Sequence, residues 1–387
     1  MVKASQSSPD EIGIEDLQLV DHHCHGVVAG PLERPEFENL INEGFEPSPA
    51  GTSHFDAPIG LAIRQWCAPA LDLDPLAPAD AYLARRAELG PQEVNRRLLR
   101  GSGLGALLID SGYRSDELLD LPAMGELAGA PVHEVVRIEA VAESVAAEVA
   151  EAAGYPAALE AALEKRADAG VGLKTIVAYR SGFAIDPTRP SREEVVHAAG
   201  DWLREIEEGR WRLTDPVLLR FGIWSGADVA RERGLPLQVH SGFGDPELRI
   251  HEANPALLTD LIRSLGELSV NMVFLHCYPY HREAGYLAAV FPHVYFDIGS
   301  ALNYTGPSAR NLLAESLEVA PFSKQLFSSD AFGVPELYYL GAVLFRRALS
   351  SILEQWIEEG QCAIEDARRV AEMIGRENAL RIYPVQD

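Results

Sequence analysis

The sequence predicts an α/β fold: a closed (β/α)8, TIM-like barrel with a helical insertion after its first strand. Three observations carry that expectation. Eight short β-branched or apolar runs recur along the 387 residues, helix-period segments separate most of them, and no glycine-rich dinucleotide turn follows any of them. The last point removes the usual ligand argument for an open doubly wound sheet. A barrel of this length is one domain, residues 1–387, as α/β barrels of similar size are.

The first run, LQLVDHH (17–23), leads directly into His22-His23-Cys24-His25. On a strand, side chains alternate faces, so Asp21, His23 and His25 share one side while His22 and Cys24 take the other. Residues 27–102 follow as the insertion, with Pro-rich turns (AGPLERPEF, APALDLDPLAPADAY) and a helical tract ending near NRRLLR. An insertion at the top of a barrel forms a lid or a subunit contact, and a homo-oligomer is the expected state; the plainer reading is a decorative helical subdomain. Trp66, within RQWCAP, either covers the pocket or simply packs.

The series continues with GALLIDSG (105–112), HEVVRIEA (133–140), VGLKTIVAYRSG (171–182) and LPLQVHSG (235–242), and closes with NMVFLHCY (271–278), HVYFDIGS (293–300) and KQLFSSDA (324–331). Helical patterns lie between, among them 191–209, 254–266 and 282–291. From Glu336 onward two amphipathic helices are expected to close the barrel.

Composition narrows the partners. Hydrophobic residues at 47% and charged ones at 24% suit a globular enzyme with a sizeable core. The 33 Lys plus Arg against 58 Asp plus Glu give a net charge of −25, which repels phosphate backbones and anionic lipid, so neither nucleic acid nor membrane is an expected partner. A small-molecule substrate is. Cys24, Cys67, Cys277 and Cys362 are too few and too scattered for a disulfide framework. The N-terminal MVKASQSSPDEIGIEDL lacks the apolar core of a secretory signal, and no run approaches a spanning length, so a reducing cytoplasm is expected.

In a barrel the catalytic face is the carboxyl end of the strands. The first strand ends in His23 and His25, the fourth carries Lys174 in an apolar run, the fifth ends in His240, the sixth in His276 and the eighth in Asp330. These nitrogen and oxygen donors suit a divalent transition metal. Alternation puts Gln238 with His240, and Phe274 with His276, so Cys24 and Cys277 face the barrel wall as buried structural thiols.

Histidines in a His-x-His pair on strand one, histidines on strands five and six, and an aspartate on strand eight resemble the metal-dependent amidohydrolase superfamily. The resemblance runs from residue 23 to residue 330. The words GLKTIVAYRSGF, HCYPYHREAGYLAAVFPHVYFDIGS and SSDAFGVPELYYLGA are similar to the branch found as the N-terminal half of FluG and of nodulin/glutamine-synthetase-like proteins. Those relatives carry a glutamine synthetase domain behind the barrel, and this chain is expected to end before one.

The resemblance implies one or two divalent ions, Zn2+ first and Mn2+ or another divalent metal second, held by His23, His25, Lys174, His240, His276 and Asp330. The catalytic set is Asp330, His276 and Lys174. A lysine in the barrel lining loses hydration, which depresses its pKa and exposes a neutral amine. By resemblance that amine takes up carbon dioxide as a metal-bridging carbamate, a carboxylated lysine. The competing reading is a plain ammonium that pairs with Asp330 or binds a substrate carboxylate.

Asp330 is the natural general base, taking a proton from the attacking water and delivering it to the leaving group. Arg180 either clamps a substrate carboxylate or pairs with a surface acid. Tyr278 and His281 are expected to line the substrate pocket. Arg137 and Glu139 form a buried ion pair or reach the substrate. His22 is a supporting hydrogen-bond partner, and His54, His133, His197, His251 and His293 are surface or packing residues.

The expected reaction is hydrolysis of an amide C–N bond in a small carboxylate-bearing substrate, a γ-glutamyl amide or an N-acyl amino acid by resemblance. A metal-dependent decarboxylase or sugar-acid isomerase on the same scaffold, or a non-catalytic regulatory barrel, are the alternatives.

Overall fold

A computed structural model describes residues 12–44 and 46–385. Most of the polar N-terminal stretch, residues 1–11, lies outside the described residues. Seven strands, β1 (Leu19–Cys24), β2 (Leu104–Asp110), β3 (Val132–Arg137), β4 (Gly170–Thr175), β5 (Leu237–Ser241), β6 (Met272–His276) and β7 (Val294–Phe296), pair in sequence order, all parallel. Parallel order with helical crossovers curls the sheet into a TIM-like barrel.

The eighth expected strand is present as a stave without regular strand geometry. Leu326 N–H donates to the Phe296 carbonyl (3.0 Å), His22 N–H to Phe327 (3.3 Å) and Asp330 N–H to His23 (3.1 Å), joining this segment to both β7 and β1. Its ladder is interrupted by side chains of its own and of β1. Asp21 accepts from the Ser329 N–H (3.0 Å), and Ser329 Oγ in turn accepts from the Ala331 N–H (3.1 Å), so side-chain bonds replace backbone ones.

The helices follow their local signals. Ser191 and Glu194 form a reciprocal capping box at the start of Arg192–Glu207, and Asp215 caps Pro216–Arg233, which ends on Gly234 at φ 68°. The main core lies between the outer face of the sheet and these helices. A smaller apolar cluster fills the barrel itself: Val20, Ala106, Leu108, Val135 and Leu275 meet Ala379, Ile382 and Tyr383 from the C-terminal end. The C-terminal helices do more than flank the barrel, because Pro335–Glu358 packs outside it while Asn378–Ile382 and Tyr383 plug its floor.

Between β1 and β2, Pro91–Gly101 packs on Pro335–Glu358 as an ordinary barrel helix, whereas the segment from Arg34–Leu40 to residue 44 reaches over the strand ends. A buried ion pair fastens this region. Arg86 Nε donates to Glu336 Oε1 at 2.5 Å, and the Tyr82 hydroxyl donates to the same oxygen at 2.8 Å. Trp66 packs, with the Arg347 guanidinium 4.2 Å from its ring. Cys24, Cys67 and Cys277 are buried free thiols, each pushed well above the ordinary thiol pKa by burial. No helix of the described residues is long and apolar enough to cross a membrane.

Candidate metal centre

Two departures from strand alternation build the site. Pairing of β1 with β2 slips between Asp21 and Cys24, a bulge that lets His22 and His23 both enter the barrel. His22 turns toward the floor, where Nδ1 meets the Tyr383 hydroxyl (3.0 Å) and Nε2 meets Asp297 (2.8 Å). Asp21 does not share the His23 face as alternation requires; it is bound to Ser329 instead. On β6 the alternation expectation also fails. Val273 and Leu275 sit in the barrel interior and Phe274 in the outer core. His276 reaches the site because its φ is 67° and that of Cys277 is 54°. Asp330 has φ 50° as well, so two of the gathered side chains sit on left-handed backbone, a strain that concentrates at functional sites.

The side chains converge on Asp330, which is 16% exposed to the cavity. Its Oδ1 lies 3.1 Å from His23 Nε2 and 3.7 Å from His25 Nε2, and its Oδ2 lies 3.3 Å from His276 Nδ1. The His240 ring lies tilted beside His276 at 4.6 Å between centroids. Lys174 Nζ is 2.9 Å from His23 Nε2. Its acid partner is Asp110, at 3.0 Å, and not Asp330, the partner offered by the plain-ammonium alternative. Among the described residues, two sets of ligand-type atoms fall within 4.8 Å of one another: His23, His276 and Asp330, and His23, His25 and Asp110.

Electrostatics keep the imidazoles neutral. Burial lowers the pKa of His23, His240 and His276, and pushes His25 down to about 4. Burial alone would raise Asp330, but the surrounding His276, His23 and His25 outweigh it and hold the carboxyl well below the ordinary range. His25 Nδ1 faces the Asp110 carbonyl at 3.1 Å, a bond that places the proton on Nδ1 and leaves the Nε2 lone pair toward Asp330. His240 Nε2 and His276 Nδ1 are buried with no hydrogen-bond partner. The loop over His240 is glycine at residue 244, where a Cβ would come 3.1 Å from His240 Nε2. Neutral lone pairs, an ionised carboxylate and orphaned buried nitrogens are a donor set that a divalent cation satisfies.

Asp110 is the residue that sequence reasoning missed. It ends β2 in LLID, a strand-end acid as visible as Asp330. Arg137 grips it through Nε (3.0 Å) and Nη2 (2.6 Å), and these cations hold the carboxyl far below its usual pKa although burial opposes them. Arg137 therefore pairs with Asp110 and not with Glu139. Glu139 belongs to the helix Ile138–Glu148 and accepts from Thr175 Oγ1 (2.5 Å) and the Ile176 N–H (3.0 Å). Burial lowers the Lys174 pKa, with Asp110 pulling the other way.

A cavity of about 300 Å³ opens above these groups. Arg180 lines it with a side chain only 8% exposed. Its Nη2 meets Glu143 at 3.0 Å, while Nε and Nη1 have no partner. Tyr278 and His281 do not line the cavity, contrary to expectation. After Cys277 the chain turns away: His281 Nε2 meets Glu315 at 2.9 Å, and Tyr278 stacks on His281 and packs against Phe243.

Residues 115–385 match the family model for amidohydrolases. The chain is 27% identical to the FluG protein of Emericella nidulans over 97% of its own length and 46% of that protein, so it spans about half the curated relative. Among solved structures it resembles a protein described as a metal-dependent hydrolase from Lactobacillus casei, with TM-score 0.82 and 28% identity over 96% of each chain. A uronate isomerase from Bacillus halodurans shares the fold at TM-score 0.64 and 13% identity, covering 99% of this chain and 98% of that one.

Proposed function

Because this chain belongs to the amidohydrolase family and so is a metal-dependent enzyme, we propose that it hydrolyses the amide bond of a small carboxylate-bearing molecule, a γ-glutamyl amide or an N-acyl amino acid. The observation that carries this reading is the convergence of His23, His25 and His276, with His240 beside His276, all held neutral, around an ionised Asp330 that lines the cavity. These five side chains would hold the ion. Zn2+ is the first choice for a donor set rich in imidazole, with Mn2+ or another divalent metal second.

A divalent ion in such a site polarises a carbonyl and lowers the pKa of water from about 15.7 to roughly 7. The protein supplies the rest. Asp330 faces the cavity as an ionised carboxylate, placed to accept the proton of the attacking water and return it to the departing amine. Asp110 and Arg137 fix the Lys174 amine beside His23. With Asp110 at 3.0 Å, this arrangement favours the ammonium form of Lys174, since a carbamate would set a second anion against that carboxylate. Arg180 offers two unpaired, desolvated N–H donors to a substrate carboxylate.

Incubation of metal-loaded protein with γ-glutamyl amides and N-acyl amino acids in 18O-labelled water tests the reaction class: label in the new carboxyl group is expected. An isomerised or decarboxylated product without label would overturn it. Arg180→Met should raise KM about ten- to hundredfold, the worth of a charged hydrogen-bond pair, with kcat little changed. An unchanged KM would remove Arg180 from substrate binding.

A further inference from the structure

The cavity is lined by groups of both charges, and the ones left without partners say more about the substrate than the metal centre does. On the barrel side stand the unpaired Nε and Nη1 of Arg180, donors only. Glu43, half-buried, lines the same cavity from the insertion, near Tyr304 and Ser300. Asp245 lines the same cavity and lies with Glu43 around Tyr179, whose hydroxyl accepts from the Asp245 N–H at 3.3 Å. Asn39 adds a buried carboxamide oxygen without a partner. Among the described residues no lysine or arginine forms an ion pair with Glu43, and the Arg212 that acts on Asp245 is itself paired with Glu247 at 2.6 Å. Burial, with Asp330 nearby, pushes the Glu43 pKa up to about 7.

We propose that this cavity is built for a zwitterion: Glu43, with Asp245 beside it, receives a free ammonium group of the substrate while Arg180 holds its carboxylate. The inference rests on the amide-hydrolase reading and sharpens it. Of the two substrate classes above, an N-acyl amino acid has no basic nitrogen to offer Glu43. A γ-glutamyl amide keeps both the α-ammonium and the α-carboxylate, and presents its amide carbonyl three carbons away from that headgroup. The two acids and the orphaned guanidinium thus select the same molecule. Because Glu43 comes from the segment between β1 and β2, that segment supplies specificity as well as cover.

Calorimetric binding to the metal-loaded protein tests this without turnover, using L-glutamate against glutarate and L-2-aminoadipate against adipate, pairs that carry no amide and differ only in the amine. Each amino acid should bind about ten- to hundredfold more tightly than its deaminated partner, the range expected for a charge-assisted contact. Glu43→Gln should reduce that ratio to near unity while leaving glutarate affinity unchanged. Asp245→Asn, on a different loop, should reduce it in part if Glu43→Gln fails to fold. Equal binding within each pair, tighter binding of the deaminated acid, or no binding of either amino acid at millimolar concentration would overturn the proposal. Selective binding of the amino acids with no hydrolysis of any γ-glutamyl amide would leave it standing and count against the hydrolytic reading alone.

Discussion

Replacing Asp330 by asparagine should lower kcat by about a thousandfold or more while leaving the barrel folded, within the range general-base removal produces when the same group also binds the ion. Asparagine matches aspartate in shape, so the packing around the stave that ends at Ser329 is preserved. Its backbone demand is met too, because asparagine tolerates the φ of 50° found at this position. What changes is charge and proton affinity. The imidazoles of His23, His25 and His276 now face a neutral carboxamide in place of the anion that lies 3.1 to 3.7 Å from them. No remaining group among those at the metal centre combines ionisation with access to the cavity, since Asp110 is enclosed and already held by Arg137 and Lys174. Far-ultraviolet circular dichroism and steady-state kinetics on the same preparation check the outcome. A variant with native spectrum and more than a tenth of native kcat would exclude Asp330 as the base.

The second large effect is on stability. Arg86→Met should cost about 3–5 kcal/mol, because it leaves the Glu336 carboxylate, 0% exposed, without its cation. Glu336 begins the helix Pro335–Glu358, one of the principal walls of the core, and Arg86 comes from the helix Ala79–Leu89. The pair therefore locks the segment between β1 and β2 onto the C-terminal part of the chain. The double variant Arg86→Met, Glu336→Gln should recover much of the loss, since it removes the stranded charge along with its partner. By contrast, Arg96→Ala, which breaks an exposed pair with Glu93, should leave the unfolding midpoint where it is. Urea titration of the four proteins distinguishes these cases. Equal midpoints for Arg86→Met and the native chain would show that the ion pair fastens nothing.

The sequence makes the barrel legible because its strands are near-continuous apolar runs that end in polar residues, the pattern of a parallel sheet buried on both faces. The gathering of His23, His25, His240, His276 and Asp330 follows from the strand-end rule alone. Alternation is a poorer guide. It groups Asp21 rather than His22 with His23 because it misses the residue a bulge adds within β1, and it places His276 with Phe274 although left-handed backbone reverses the side chain. Neither a bulge nor a positive φ at a non-glycine residue has a signature in the residue types themselves. Asp110 carried a signal, its position at the end of LLID, and the same rule applied to β2 finds it. Glu43 carried none: its role depends on how a segment folds back over strand ends far from it in sequence. Tyr278 and His281 mislead by closeness, since residues two and five positions past His276 are swung out by the turn at Cys277.

The account rests on a cation gripped by side chains from separate strands, and elemental analysis of the purified protein after dialysis against metal-free buffer tests it most directly. Native protein should retain at least one divalent transition-metal ion per chain, and His23→Ala combined with His240→Ala should retain none while keeping the native fold. Native protein that neither holds nor takes up such an ion, or a double variant that holds as much as the native chain, would contradict it.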